Sequence, residues 1–341
     1  MISSARPGKP GHLVIYLSGR CNLACPYCYA AGVSKRTISK AALFAALDAF
    51  AAAGPAAPAF TILGGEPLLC RDLAYAALDR IKELFGPGAP VTLFTNGLLL
   101  KKGEAQNLLE RGVKVAVSLD GPLVPGKPGR TGADNIPRAL RKQVRAATVV
   151  TPAGAGELVP GFLRLLGLGF ERLAWSPDIT AAWDNAALAR LRASSKALLL
   201  EYLGRLRSGR GVWELANGYE TLAAASGGLR PGPCRSLTLA PDGFFYPCDK
   251  MLSGPAAMIR PFRVGADGED RGKFFRLAAK SGLSSSESMC PVAPWAAARF
   301  RPSGGPVPAG QAAAGKIAAL WLKAAVRAGL SNPVFRRLHG L

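Results

Sequence analysis

The chain has 341 residues, 49% of them hydrophobic, and carries 43 Lys and Arg against 22 Asp and Glu, a formal net charge of +21. That much apolar material fills a real core and argues against disorder, while no apolar run reaches the roughly 18 residues that a membrane span needs. The start, MISSARPGKPG, is basic but lacks the apolar stretch of a secretion signal, so a cytoplasmic location is expected. Seven unevenly spaced cysteines do not make a disulfide scaffold in a reducing compartment and point to metal or redox chemistry. The basic surface suits an acidic partner such as a peptide leader or nucleic acid, or serves solubility alone.

In chain order, His12 to Leu17 (HLVIYL) reads as a strand, followed at once by three cysteines. Ser39 to Ala53 has helical periodicity, and Ala59 to Leu63 is a strand ending in Gly64, Gly65 and Glu66. The alternation continues with a helix over Asp72 to Leu84, a strand over Val91 to Thr95, a helix over Lys101 to Arg111 and a strand over Lys114 to Leu119. Ala147 to Val150 and Arg172 to Trp175 are two more strands, on either side of a helical stretch from Glu157 to Leu166. Six strands alternating with helices imply right-handed crossovers and a parallel sheet: an α/β fold, predicted as a partial (β/α)6 TIM-like barrel. Ligands of such a sheet belong at the C-terminal strand ends. The polar motifs collect there: the cysteine loop, Gly64-Gly65-Glu66, Thr95-Asn96-Gly97 and Ser118-Leu119-Asp120.

The expected organisation is a barrel over 11–185, a helical connector over 186–226, a Gly-, Pro- and Cys-rich extension with a small β-hairpin over 227–300, and a Pro/Gly linker with a last helix over 301–341. That helix, from about Ala312 to Ala328, places Ile317, Leu320, Trp321 and Ala324 on one face. It docks on the barrel or meets a leader peptide or membrane surface.

The cysteine loop reads Cys21-Asn-Leu-Ala-Cys25-Pro-Tyr-Cys28, a CxxxCxxC spacing. Three thiolates bind three irons of a cubane and leave the fourth open to a substrate or cosubstrate. Zinc wants four ligands in a closed site, and neither His12 nor His339 lies nearby in sequence. These residues resemble the radical S-adenosylmethionine (SAM) superfamily, whose hallmark is this loop with an aromatic residue before the third cysteine, the place that Tyr27 holds. The resemblance implies a [4Fe-4S] cluster on Cys21, Cys25 and Cys28, with SAM chelated to the open iron. It further implies reductive cleavage of SAM to methionine and a 5′-deoxyadenosyl radical that abstracts hydrogen.

Two glycines at a strand end let backbone approach a ligand closely, and the Glu66 carboxylate can accept a hydrogen bond from an ammonium. By resemblance, Gly64, Gly65 and Glu66 serve the amino group of SAM, while Thr95, Asn96, Ser118 and Asp120 occupy ribose and substrate positions. The last four equally suit turns and helix caps. Cys70, outside both cysteine groups, reads as a semi-buried small hydrophobe or as a thiol hydrogen donor near the radical.

In the second group, Leu237 to Ala240 and Phe244 to Tyr246 are two short strands joined by the turn Pro241-Asp242-Gly243. The hairpin brings Cys234 and Cys248 together, and Cys290 offers a third thiol; a plain structural cysteine pair is the other reading. This part resembles the SPASM auxiliary-cluster extension or its shortened Twitch form, though the spacing from Cys234 to Gly243 is slightly short and the later CxxCxxxxxC run is lacking. One auxiliary Fe-S cluster is implied at most. Asp249 matches a carboxylate that in anaerobic sulfatase maturases is proposed to accept a proton; otherwise it is a solvated turn aspartate beside Lys250.

Enzymes of the SPASM and Twitch types act mostly on peptides or proteins. The resemblance therefore implies a maturase that abstracts hydrogen from a ribosomally made peptide and leaves a thioether, a carbon–carbon crosslink or an epimerised residue. Its implied partners are that peptide or protein substrate, with an acidic leader, and a reductant such as flavodoxin or ferredoxin. Little chain precedes the first strand, so leader recognition is expected from a separate protein or the basic surface. The alternatives are a formylglycine-generating sulfatase maturase, a radical SAM enzyme acting on RNA or a small molecule, and a non-enzymatic metal-stabilised basic binding protein.

Overall fold

Short β-branched runs separated by Ala- and Leu-rich segments fold into strands backed by helices. The computed structural model describes residues 9–55, 57–119, 132–215, 236–280, 296, 299–300 and 309–339. In chain order these give β1 (His12–Tyr16), α1 (Lys40–Ala52), β2 (Ala59–Leu63), α2 (Arg71–Phe85), β3 (Val91–Thr95), α3 (Glu104–Glu110) and β4 (Val113–Ser118). There follow β5 (Arg145–Val150), α4 (Leu158–Gly167), β6 (Arg172–Pro177), α5 (Asn185–Ser208), β7 (Glu214–Leu215), β8 (Ser236–Leu239) and β9 (Phe245–Tyr246). Helix starts follow local chemistry: the Ser39 hydroxyl accepts from Ala42 N at 3.2 Å to cap α1, and Asp184 accepts from Ala187 N at 2.6 Å to cap α5.

The strands form a single open sheet in the order β7-β6-β5-β4-β3-β2-β1-β8-β9. Every pairing is parallel except the β8–β9 hairpin. This is the expected α/β fold with six parallel strands in sequence order, and the sheet does not close. Three features differ from the sequence expectation. The described residues between β4 and β5 hold two 3₁₀ turns, Gly132–Asn135 and Arg138–Gln143, in place of an α-helix. A short β7 extends the β6 edge. The hairpin is no separate appendage, because β8 pairs in parallel with β1, Leu13 opposite Leu237 and Ile15 opposite Leu239.

Alternation along the strands separates two faces. Leu13, Ile15, Phe60, Ile62, Val115 and Val117 face the helices and pack with Leu43, Leu47 and Phe50 of α1 and Leu78 and Ile81 of α2. The inner face of β1 carries Val14 and Tyr16, which join a smaller core with Tyr246, Met251, Leu252, Phe274 and Phe300. The helix Gln311–Gly329 docks on α5 and β6, with Trp321 against Trp175 at 5.8 Å between ring centroids. Leu320, expected on its docked face, is 54% exposed instead.

At the start of β1, the His12 ring lies between Ser236 Oγ of β8 (2.9 Å) and Thr61 Oγ1 of β2 (2.8 Å). Burial holds the His12 imidazole below its ordinary value of 6.5, against an opposing pull from Asp249, and burial does the same to His339. The unfolded chain therefore takes up protons near pH 6.5 that the folded chain refuses until lower pH. The stability each histidine contributes is complete above that value and is lost as pH falls through the depressed folded value. The urea midpoint should drop on acidification below about pH 6.5, with a shallower drop in His12→Gln.

Candidate functional site

The chain leaves β1 into a loop whose neck is pinched shut. Ile38 N donates to Leu17 O at 3.0 Å, Ser18 and Thr37 form an antiparallel bridge, and Gly19 N donates to Ser34 O at 2.8 Å. Lys35 Nζ donates to Gly19 O at 2.8 Å and to Ala31 O at 3.4 Å, tying the start of the loop to its far side. A Cβ at Gly19 would lie 2.3 Å from Val33 O, so the neck has room for glycine alone. Cys21, Cys25 and Cys28 are thus held on one closed loop at the C-terminal end of β1.

Cys21 and Cys28 are exposed, Cys25 is half-buried, and none is in a disulfide. Although Cys21 and Cys28 reach the surface, the loop around their sulfurs partly desolvates them: this pushes the Cys28 thiol up, with Cys25 and Cys21 adding to it against the Ala30 N–H and Lys35, and it raises Cys21, with Glu66 and Cys25 adding, against hydrogen bonds that favour its thiolate. Leu23 N lies 3.4 Å and Asn96 Nδ2 3.9 Å from Cys21 Sγ, the kind of N–H contact that tunes a sulfur-ligated iron. Among the described residues no three His, Cys, Asp or Glu side chains converge on one metal-ion position. A cubane makes no such demand, since each thiolate binds its own iron. Three mutually interacting thiols on an accessible loop fit that donor set, and cluster binding would release their protons.

The strand end of β2 is the seat of this loop. Gly65 N donates to Ser18 O and Glu66 N to Arg20 O, both at 2.8 Å. A Cβ at Gly64 would stand 2.5 Å from Ser18 O, and one at Gly65 2.2 Å from Arg20 O. The close approach these glycines permit is therefore to the chain itself, immediately before Cys21. Glu66 is 1% exposed: Oε1 accepts from Leu68 N (3.0 Å) and Thr95 Oγ1 (2.8 Å), and Oε2 from Asn96 N (2.8 Å). Burial raises its carboxyl above the usual range, while the hydrogen bonds from Asn96, Leu68 and Thr95 pull it back.

Thr95 is buried and also accepts from Gly97 N at 3.0 Å, so its hydroxyl is spent on the turn. Asn96 reaches the cysteine loop, donating to Asn22 Oδ1 at 2.8 Å. Tyr27 and Ser118 are half-buried, Ser118 ending β4. Cys70 ends the 3₁₀ turn Pro67–Cys70, packs on the main core and meets the Thr37 hydroxyl at 3.6 Å behind the neck. Asp120, Cys234 and Cys290 lie outside the described residues.

Cys248 is half-buried after β9, and Asp249 beside it is far from a solvated turn residue. Asp249 Oδ2 accepts from Tyr29 Oη at 2.9 Å and from Lys250 Nζ at 2.5 Å, and Tyr29 Oη accepts from Tyr16 Oη at 2.9 Å. The Lys250 ammonium also sits 3.8 Å from the Tyr29 ring centroid. Although burial disfavours its charge, Asp249, with smaller pulls from Tyr16 and Cys248, raises Lys250 above the ordinary lysine value. Ser253 Oγ donates to Tyr29 O, and a Cβ at Gly32 would meet Ser253 O at 2.3 Å. The 249–254 segment is thereby fastened to the far side of the cysteine loop. Sequence reasoning missed Lys35, Tyr16 and Tyr29; the available signal was a phenol adjoining Cys28 and another within an apolar strand, since a buried phenol needs a partner.

Residues 15–124 match the Radical SAM superfamily model. A probable GTP 3′,8-cyclase of Methanocella arvoryzae is 35% identical over 125 residues, 35% of this chain and 38% of that protein. The chain thus spans 38% of the length of the curated relatives it matches. Among solved structures, anSMEcpe with bound AdoMet and Kp18Cys peptide superposes with a TM-score of 0.65 at 16% identity, covering 97% of this chain and 99% of that one. Streptococcus suis SuiB bound to precursor peptide SuiA gives 0.51 at 18% identity, covering 84% and 71%. At these identities the superpositions establish a shared fold.

Gly65→Ala should force the loop start off its seat, at a cost of about 1–3 kcal/mol. A lower urea midpoint and reduced iron uptake on anaerobic reconstitution would register it.

Proposed function

Because the N-terminal part of this chain is a radical SAM domain, we propose that the protein is an enzyme that cleaves SAM reductively and abstracts hydrogen from a peptide substrate. A [4Fe-4S] cluster and SAM, bound together, supply methionine and a 5′-deoxyadenosyl radical. Cys21, Cys25 and Cys28 hold the cluster, and the N–H groups of Leu23 and Asn96 temper the charge on the Cys21 sulfur. Gly64 to Glu66 shape the ledge on which the loop and the amino end of SAM rest. With three donors already on the Glu66 carboxylate, its part is to hold the β2 and β3 ends together while the exposed edge of this ledge meets the ammonium. Thr95 shapes the β3 turn, and Asn96, Ser118 and Tyr27 line the approach to the same strand ends.

Asp249 is proposed as the proton acceptor for the substrate, paired with Lys250 and oriented by Tyr29. Cys248 is proposed as one ligand of an auxiliary cluster shared with Cys234 and Cys290, its fourth position left to a non-cysteine ligand or open. The observation that carries the reading is the closed three-cysteine loop seated on the Gly64–Glu66 strand end. A peptide substrate is supported by the shared fold with two proteins whose structures contain bound peptides. Cys70, behind the neck and bonded to Thr37, is given no catalytic part.

Cys25→Ala should abolish both iron loading at the loop, about four irons per chain, and formation of 5′-deoxyadenosine from SAM under dithionite. A wild-type protein that loads iron and binds SAM yet forms no 5′-deoxyadenosine would refute the activity. Asp249→Asn should keep SAM cleavage while product formation drops about 10²–10⁴-fold; an equal fall in both would remove Asp249 from the proton-transfer role.

A further inference from the structure

The inner face of the sheet, turned away from the helices, has two tiers. Near the cysteine-loop end it carries Tyr16, Leu63, Phe94, Ser118, Val149 and Ser176. At the opposite end, one residue per strand forms a polar belt that becomes cationic across β4, β5 and β6, at Lys114, Arg145 and Arg172. Pairing fixes their common face: Ala116 lies opposite Arg145, Arg145 opposite Arg172, and Arg172 opposite Glu214.

These cations differ in how they are satisfied. Arg172 is paired with Glu214, Nη2 donating to Oε1 at 2.9 Å and Nε lying 2.9 Å from Oε2. Lys114 is exposed to water. Arg145 is half-buried, and among the described residues it has neither a hydrogen-bond acceptor nor a carboxylate within ion-pair distance. Burial and the adjoining Arg172 guanidinium push its proton affinity down, although an arginine stays charged throughout the accessible range. The Glu214 carboxylate, already engaged by Arg172, supplies a weaker opposing pull. None of the Arg145 nitrogens is sealed from solvent, so a planar fork of five donors held beside a second cation is open to the oxygens of an anion.

We propose that Arg145 receives an anionic group of the substrate, a carboxylate or a phosphoryl group, on the inner face of the sheet at the N-terminal end of β5. From Arg145 to Val150 the strand climbs about 16 Å, so the substrate is elongated, with its anion about one strand length from the end presented to the cysteine loop. That placement of the reacting end rests on the radical SAM reading. The anion site does not, and it is testable without turnover.

The test is the thermal midpoint of the full chain, purified anaerobically, at fixed ionic strength with inorganic phosphate or succinate as probe. The wild type should gain about 2–4 °C at roughly tenfold excess over Kd of the matching probe. A shift with phosphate alone assigns a phosphoryl group, and one with succinate a carboxylate. Arg145→Gln should raise the midpoint without anion, since it removes a charge that has no partner among the described residues, and should abolish the shift, while Arg145→Lys keeps part of it. Arg172→Gln, which orphans Glu214, should lower the midpoint. The proposal is overturned if neither probe stabilises the wild type, if the shift survives Arg145→Gln, or if Arg145→Gln is destabilised or unfolded, which would make Arg145 structural. SAM cleavage by the wild type is assayed separately, so its absence would count against the radical reading and leave the anion result standing.

Discussion

Two backbone hydrogen bonds, from Gly65 N to Ser18 O and from Glu66 N to Arg20 O, fix where the cysteine loop begins. They form because residues 64 and 65 have no side chains, so the end of β2 can lie against the chain just ahead of Cys21 at a distance no Cβ would tolerate. The glycines of the motif are therefore first a matter of packing. Glu66 extends the same device sideways. Its carboxylate gathers donors from Leu68, Thr95 and Asn96, so the ends of β1, β2 and β3 move as one body. If Cys21, Cys25 and Cys28 hold the proposed cluster, three thiols presenting a common geometry to it need such a base.

The second anchor is the Tyr16–Tyr29–Asp249–Lys250 chain of hydrogen bonds. It crosses from the inner face of β1, through the residue after Cys28, to the segment after Cys248. A buried polar chain of this kind rigidifies when every member is satisfied and is costly when one is lost. Asp249 would be left with a cation and one donor fewer on removal of the Tyr29 hydroxyl, a loss of about 1–3 kcal/mol.

Much of this was legible in the sequence. Strand and helix periodicity located β1 to β6 to within a few residues, and the cysteine loop, Gly64 to Glu66 and Thr95 to Gly97 do lie together at the C-terminal strand ends. What escaped depends on contacts between distant parts of the chain. Pairing of β8 with β1 is invisible to local pattern, because Leu237 to Ala240 has the composition of a strand whether it stands apart or joins the barrel. Arg145 carries no motif, and two residues of difference in the start of β5 kept it out of the expected strand. The Glu66 carboxylate was expected to wait for an ammonium, whereas Thr95 and two backbone N–H groups occupy it. Leu320 failed for a simpler reason: helical periodicity gives a stripe, and the docking angle of the helix decides which edge of that stripe is covered.

The strand that carries the cysteine loop lies between β2, which follows it closely, and β8, more than half the chain away. While the polypeptide emerges from a ribosome, β1 would stand as an open sheet edge until residue 239 has cleared the exit tunnel. Tyr29 would likewise wait for Asp249. Iron delivered early would meet a half-built cradle, so assembly of the proposed inorganic centre belongs late in biogenesis, after β8 has taken its place beside β1.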